Sequence, residues 1–193
     1  MNEINVVIIN GAPQAGKDTF VNYCTRYCNT MEYAMVINIS SVDIHKQVLK
    51  RLGWNGIDKS QDVRDMLCQM KEFSINVGND MPTRYMVNKI LKLMYEQDDY
   101  IVFCHVREKE EIDKLVKSLD GLHHIGIKYR TLYIDRHMGD QMCTNNADIS
   151  AVYCDKNDYM DLIINNGTLD ELQTSAESYV NKLILRRKQN DTK

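Results

Sequence analysis

Nowhere in this sequence do eighteen apolar residues run together, so no segment reads as a membrane-spanning helix. The opening Met1-Asn2-Glu3 has neither the basic nor the apolar part of a secretory signal and leads straight into a strand-like run. Together these absences predict a cytoplasmic protein with no membrane partner. Positive charge is also not in excess: 24 Lys and Arg against 27 Asp and Glu leave a net charge of −3, which offers no basic face to a nucleic-acid polymer. The six cysteines (Cys24, Cys28, Cys68, Cys104, Cys143, Cys154) form no C-x-x-C pairs of the zinc-binding kind. Cys24 and Cys28 stand one helical turn apart, but no nearby histidine or second pair completes a metal site, so reduced thiols used in packing are expected. No internal repeat, low-complexity tract or break in composition marks a second domain, and 193 residues suit one domain with a real core.

What is present is an alternation of short apolar runs and helical periodicity. Ile4 to Asn10 is β-branched and ends at a glycine, as expected of a strand buried on both faces of a parallel sheet. From Lys17 to about Cys28, Phe20, Val21, Cys24 and Tyr27 recur at helical spacing. A second strand, Ala34 to Ile39, leads to a helix carrying Ile44, Val48, Leu49 and Leu52, closed by Gly53. After a loop over 53–59, Asp62 to about Val77 is periodic through Val63, Met66, Leu67, Met70 and Phe73, and Pro82 suits the first turn of a helix reaching about Glu96. Core filling accounts for the methionines at helical spacing, Met66, Met70 and Met94.

A third strand, Tyr100 to Cys104, precedes a helix over Glu108–Leu119, and a fourth covers about 127–134. The polar, poorly periodic stretch 135–157 is the best candidate for a mobile lid. A short strand, Leu162 to Ile164, is followed by a capping box, Thr168 with Glu171, that opens a closing helix; the tail from Arg186 is expected to fray. Five strands separated by helices predict a three-layer α/β domain with a largely parallel sheet, whose ligands sit at the carboxyl ends of the strands.

The first strand runs into Gly11-Ala12-Pro13-Gln14-Ala15-Gly16-Lys17-Asp18-Thr19, a Walker A pattern in the strand-loop-helix setting that such a loop requires. Gly11 and Gly16 let successive backbone N–H groups converge on phosphate oxygens, Lys17 adds a positive charge beside the terminal phosphates, and the helix start adds its positive end. The segment therefore predicts a bound nucleoside triphosphate. Where the general pattern has Ser or Thr to bind magnesium, the position holds Asp18, with Thr19 next. Magnesium held by Thr19, a water-bridged Asp18 carboxylate, and an Asp18 that only stabilises the helix start all remain open.

The loop resembles that of the adenylate kinase group of nucleoside and nucleotide monophosphate kinases, in which the residue after the lysine is commonly not Ser or Thr. Its Gly-Lys-Asp-Thr ending is also similar to phage deoxynucleoside monophosphate kinases and animal phosphomevalonate kinases. The likeness extends in outline to the chain order: an acceptor-binding helical insert over about 41–97, a lid over about 135–157, and the closing stretch Asn166 to Leu172. It implies a P-loop NTPase fold, ATP as phosphoryl donor with Mg2+, and a small phosphorylated acceptor, most simply a nucleoside or deoxynucleoside monophosphate. By the same resemblance Arg64 sits where an arginine grips the acceptor phosphate, Arg84 is a second candidate, and Asp43 stands where an acid orients the acceptor or a metal-bound water. Asp43 also suits a helix cap.

Phosphoryl transfer needs positioning and charge neutralisation, for which arginine forks are suited. Arg107, at the carboxyl end of a central strand, is a candidate to contact the acceptor or the transferring phosphoryl, and Arg136, opening the lid segment, to close on the triphosphate and exclude water; Arg130, on the strand itself, is the weaker one. His105 stands about where the resembling kinases carry an aspartate that helps to hold magnesium. That departure keeps open a nucleotide-binding or regulatory protein without efficient transfer, and a kinase of a non-nucleotide phosphorylated metabolite remains a further alternative. Trp54 suits either stacking on a base or burial against the neighbouring helix. Asn145, Asn146, Asp148, Asp155 and Asp158 read as solvated polar residues flanking the lid. Oligomeric state is not legible.

Overall fold

The computed structural model describes residues 3–58, 60–77, 80–96, 98–137 and 146–190, with side chains from 186 onward and those of Asn146 and Ala147 outside the description. The strands are β1 (Ile4–Asn10), β2 (Met35–Ser40), β3 (Tyr100–His105), β4 (Ile127–Asp135) and β5 (Asp161–Ile164). The helices are α1 (Lys17–Met31), α2 (Asp43–Arg51), α3 (Gln61–Val77), α4 (Met81–Leu93), α5 (Lys109–Asp120), α6 (Asn146–Tyr153) and α7 (Leu169–Asn190). The sheet is parallel throughout, in the order β2-β3-β1-β4-β5.

The two-residue period of the central strands sorts the core into two layers. Val7 and Ile9 face α1 and α7, meeting Phe20, Val21, Cys24, Leu172, Ala176 and Val180. Val6 and Ile8 face α4 and α5, meeting Met86, Ile90, Ile112 and Leu115. This is the three-layer α/β architecture of P-loop NTPases, and every strand run expected from the sequence is a strand. Cys24 and Cys28 are free, fully buried thiols of the first layer, and burial pushes both up from the usual thiol range, Cys28 to about 11. The capping box is formed: Thr168 N–H donates to Glu171 Oε2 at 2.7 Å, and Glu171 N–H donates to Thr168 Oγ1 at 3.2 Å.

The order of strands fixes the site. The chain leaves β1 for β2 on one side and later returns to β4 on the other, so a crevice opens where β1 and β3 lie side by side. The register pairs Ile9 with His105 and His105 with Ser40, which brings the ends of β1, β2 and β3 level.

Within the segment expected to form a lid, 146–153 is α6 and 156–158 a short 3-10 turn, while 138–145 lie outside the described residues. Helix α6 escapes the periodicity because its large apolar groups do not mark a buried face: Ile149 and Tyr153 are exposed, while the small Ala151 is fully buried. Two other expectations are corrected. Helix α7 runs to Asn190, beyond the point where fraying was expected. The apolar periodicity of α3 is real, but Met66 (49 % exposed), Phe73 (69 %) and Val77 (68 %) face outward, so Met66 does not fill the core. What α3 buries is Lys71 and Ser74, because its inner side meets α2, α4 and the crevice rather than the sheet.

The α2–α3 contact is accordingly polar. Ser74 Oγ donates to Lys71 O at 2.8 Å, so its 2.9 Å bond to His45 must be donated by His45 Nε2. That assignment leaves Nδ1 without a proton, buried and with no hydrogen-bond partner among the described residues. Burial, and then the nearby Lys71 ammonium, lower the pKa of His45 below its usual 6.5. A histidine buried neutral binds fewer protons folded than unfolded, so stability is lost as pH falls below 6.5 towards the folded value. The thermal midpoint should therefore drop between pH 6.5 and 5, and less steeply in His45→Asn; equal slopes would assign the loss to other groups.

Candidate functional site

The segment after β1 is held by two asparagines. Asn10, fully buried at the strand end, accepts from Gly11 N–H at 2.7 Å through Oδ1, while its Nδ2 donates to Arg107 O at 3.1 Å and to Tyr159 Oη at 2.6 Å. Asn165, just past β5, donates from Nδ2 to Ala15 O at 2.8 Å, and its own N–H donates to Asp135 O at 2.6 Å. The loop thus rests on β4 and β5 with no slack. A Cβ on Gly11 would stand 2.4 Å from Ile134 O, and one on Gly16 would stand 2.4 Å from Asn165 Nδ2. Gly16 also has φ +94°, in the region that favours glycine, and starts α1 directly. Backbone N–H groups and the helix start therefore present themselves together at the crevice.

Lys17 curls back over this loop, its Nζ donating to Gly11 O at 2.6 Å and Ala12 O at 2.7 Å. Burial, followed by the Arg107 charge, lowers its pKa from 10.5 to about 8. An ammonium so desolvated gains from any anion that reaches it. Asp18 points out, its side chain 84 % exposed, and lies beside Thr19 at the crevice.

A cavity of about 750 Å³ opens from the loop, within the range of small-molecule sites. Its far wall comes from α2, the 54–58 loop and α3, and its base from the end of β3. Six cations line it (Lys17, Lys46, Arg64, Lys71, Arg107, Arg136) against four carboxylates (Asp18, Asp43, Asp58, Glu108), so a chain that is negative overall turns a positive face inward here. Lys71 is almost fully buried and pairs with Glu108 at 2.5 Å, since burying a lone ammonium would cost several kcal/mol. Arg107 Nη1 donates to Asp148 Oδ1 at 2.6 Å; the arginine side chain is 45 % exposed and the aspartate 6 %.

The cavity brings together most of the residues singled out in the sequence. Pro13 to Thr19, Asp43, Arg64, Arg107 and Arg136 all line it, as do His105 and the half-buried Trp54. Gly11 and Ala12 stand behind the loop as its packed base and as acceptors for Lys17. Asp43 accepts from Ser40 N–H at 2.8 Å and from Lys46 Nζ at 2.9 Å, so it braces the β2–α2 turn while facing the cavity. Arg84 is not brought in: α4 turns Thr83, Met86 and Ile90 towards the core, which leaves Arg84 exposed and outside the cavity. Arg130 is engaged elsewhere, in a two-pronged pair with Asp161.

His105 Nδ1 lies 3.9 Å from Asp18 Oδ1, and its Nε2 is buried without a partner among the described residues. Burial is the main cause that lowers its pKa from 6.5 to about 4, so the ring is neutral at neutral pH. Among the described residues no three His, Cys, Asp or Glu side chains converge as a cage for a metal ion.

Sequence reasoning misses Asn10, Asn165, Lys71 and Asp148, and reaches Glu108 only as part of the charged cluster 105–108 that follows β3. The one trace of Asn10 in the sequence is a polar residue closing an otherwise apolar strand, and Asp148 carries no sign there that it is not solvated.

No family model matches the chain, and no curated protein matches it. Its fold is similar to that of the Mycobacterium tuberculosis APS kinase solved with AMPPNP and APS, at 12% identity over 96% of this chain and 99% of that one, with a TM-score of 0.52. It is also similar to an unliganded sugar kinase from Janibacter sp., at 11% identity over 94% and 95% of the two chains, with a TM-score of 0.50. At such identities the likeness establishes the fold alone. No helix among the described residues is long and apolar enough to cross a membrane.

The packing of the loop can be tested without any ligand. Gly53 also has positive φ (+103°), but a Cβ there would meet nothing within 4 Å. Gly53→Ala should cost only the backbone strain, about 1 kcal/mol, whereas Gly16→Ala should cost at least about 2 kcal/mol because it also displaces Asn165. Urea unfolding of the two variants compares them, and equal losses would remove the tight contact at Gly16.

Proposed function

We propose that this protein transfers the terminal phosphoryl group of ATP to a small phosphorylated acceptor, a nucleoside or deoxynucleoside monophosphate in the first instance. The observation that carries the reading is the single cavity that has the phosphate loop on one wall and the α2–α3 cations on the facing wall. Two anions can enter such a space from opposite sides and meet in line, and meeting in line is most of what phosphoryl transfer requires of a protein.

In this reading the donor phosphates lie against the loop amides and the start of α1, and the Lys17 ammonium exchanges its bonds to Gly11 O and Ala12 O for bonds to phosphate oxygens. Arg64 grips the acceptor phosphate, with Lys46 and Asp43 shaping the same wall. Arg107 and Arg136 take up charge as it spreads over the moving phosphoryl group, and Arg136, at the edge, helps to keep water out. The acceptor is already an anion, so no strong general base is needed. The oxygen donors at the crevice suit Mg2+, which is commonly held by one or two carboxylates together with substrate phosphates. Thr19 would ligate it through the hydroxyl and Asp18 through water. When bound, the ion neutralises charge on the donor phosphates. Asp18, across from His105, supplies a carboxylate close to where the resembling kinases carry one on the strand, which favours retained transfer over the purely regulatory alternative.

Incubation with magnesium ATP and a panel of monophosphates should yield diphosphates. Tight ATP binding with no product from any acceptor would select the nucleotide-binding protein, and product only from non-nucleotide phosphorylated metabolites would change the acceptor class. Lys17→Ala should lower kcat by about 10²-fold or more with an unchanged circular dichroism spectrum, and near-normal turnover would refute the assignment. Arg64→Ala should raise the acceptor KM roughly tenfold to a hundredfold, the worth of a charge-assisted hydrogen bond, with kcat little altered. An unchanged KM would return Arg64 to the surface.

A further inference from the structure

Helix α6 is seated against the start of α5 and against β4. Ser150 Oγ accepts from Lys109 N–H at 3.2 Å, Ala151 O accepts from Tyr133 Oη at 2.8 Å, and Ala151 is fully buried. From this seat Asp148 reaches Arg107. The pair is lopsided, since the carboxylate is almost wholly out of water while the guanidinium is half in it. A buried carboxylate costs several kcal/mol to desolvate, and a buried ion pair is a weak device for stability. It is a good device for fixing a long, rotamer-rich side chain in one place, because an arginine otherwise loses up to about 2 kcal/mol of rotamer entropy when it is ordered.

Arg107 is held at its other end as well. Its carbonyl accepts from Asn10 Nδ2, and the same asparagine accepts from the N–H of Gly11, the first residue of the phosphate loop. The backbone of Arg107 is thereby tied to the loop, and its guanidinium to the helix on the far side of residues 138–145. Lys17 senses both partners: the Arg107 charge lowers its pKa and the Asp148 charge raises it.

We propose that Asp148 is a positioning residue that aims the Arg107 guanidinium into the cavity at the donor phosphates, in register with the loop that Asn10 holds. The inference rests on the transfer reading for its catalytic consequence, but the geometry of the clamp extends to triphosphate binding alone.

The test is a double-mutant cycle of Asp148→Asn and Arg107→Ala. It is read as kcat and KM for ATP and acceptor, as the ATP dissociation constant by calorimetry, and as the thermal midpoint. Asp148→Asn should lower kcat about tenfold to a hundredfold, the usual effect of misplacing a catalytic group by about 1 Å, while the midpoint stays within a few degrees. In the Arg107→Ala background the same change should have at most a small further effect, because Asp148 acts mainly through that arginine. Wild-type turnover in Asp148→Asn, or an equal loss in both backgrounds, overturns the proposal.

If the parent protein binds ATP but phosphorylates no acceptor, the transfer reading fails by itself, and the same cycle is scored on the ATP dissociation constant: non-additivity upholds the clamp and additivity removes it. Should Asp148→Asn not fold, Asp148→Glu keeps the charge and shifts it by one methylene. A lowered kcat, or a weakened ATP affinity, that disappears in the Arg107→Ala background then upholds positioning, and parent values overturn it.

Discussion

Everything at the crevice depends on a stretch of main chain that at both its glycines lies against its neighbours with no room for a side chain. Gly11 is pressed on the Ile134 carbonyl and Gly16 on the Asn165 amide, so the amides between them are fixed before any ligand arrives. Preorganised donors matter because hydrogen bonds to an anion are formed without first ordering the loop. Two asparagines at strand ends supply that order, Asn10 from β1 and Asn165 beyond β5, and both are almost fully buried with their amides bonded.

The second constraint is electrostatic. A chain with a surplus of acidic residues gathers six cations around one cavity, and three of them have a designated carboxylate: Lys46 has Asp43, Lys71 has Glu108, Arg107 has Asp148. Such pairing lets positive charge be stored in a partly desolvated space without unfolding it. Lys17 differs, since its ammonium donates to the loop carbonyls of Gly11 and Ala12, and its lowered pKa reflects the burial that makes it responsive to phosphate.

The sheet side and the helical side of the cavity are built differently. Strands β1, β3 and β4 are buried on both faces and hold the loop rigidly, whereas α3 buries a lysine and a serine inward and leaves Met66, Phe73 and Val77 in solvent. A wall secured by a few polar contacts opens at lower free energy than a packed strand, so the α2–α3 side is where movement would be least costly.

The five strands, the phosphate loop and most helix boundaries were legible in the sequence because each rests on local signals: β-branched runs, glycine at a strand end, Pro82 in a first turn, Thr168 and Glu171 three residues apart. Lys17, Thr19, Asp43, Arg64, Arg107 and Arg136 could be singled out for the same reason, as charged or hydroxyl residues at loop and strand ends. The inward or outward sense of the α3 stripe could not, because a helical period says that one side is apolar and not what lies opposite it. Nor could the partners of Asn10, Asp148 and Lys71, which sit 97, 41 and 37 residues away along the chain. Sequence alone determined that a glycine-rich loop with the Walker A pattern follows a buried strand and opens a helix. Only the order of strands in the sheet decided which distant side chains would stand around it, since long-range pairing is set by packing and leaves no mark on neighbouring residues.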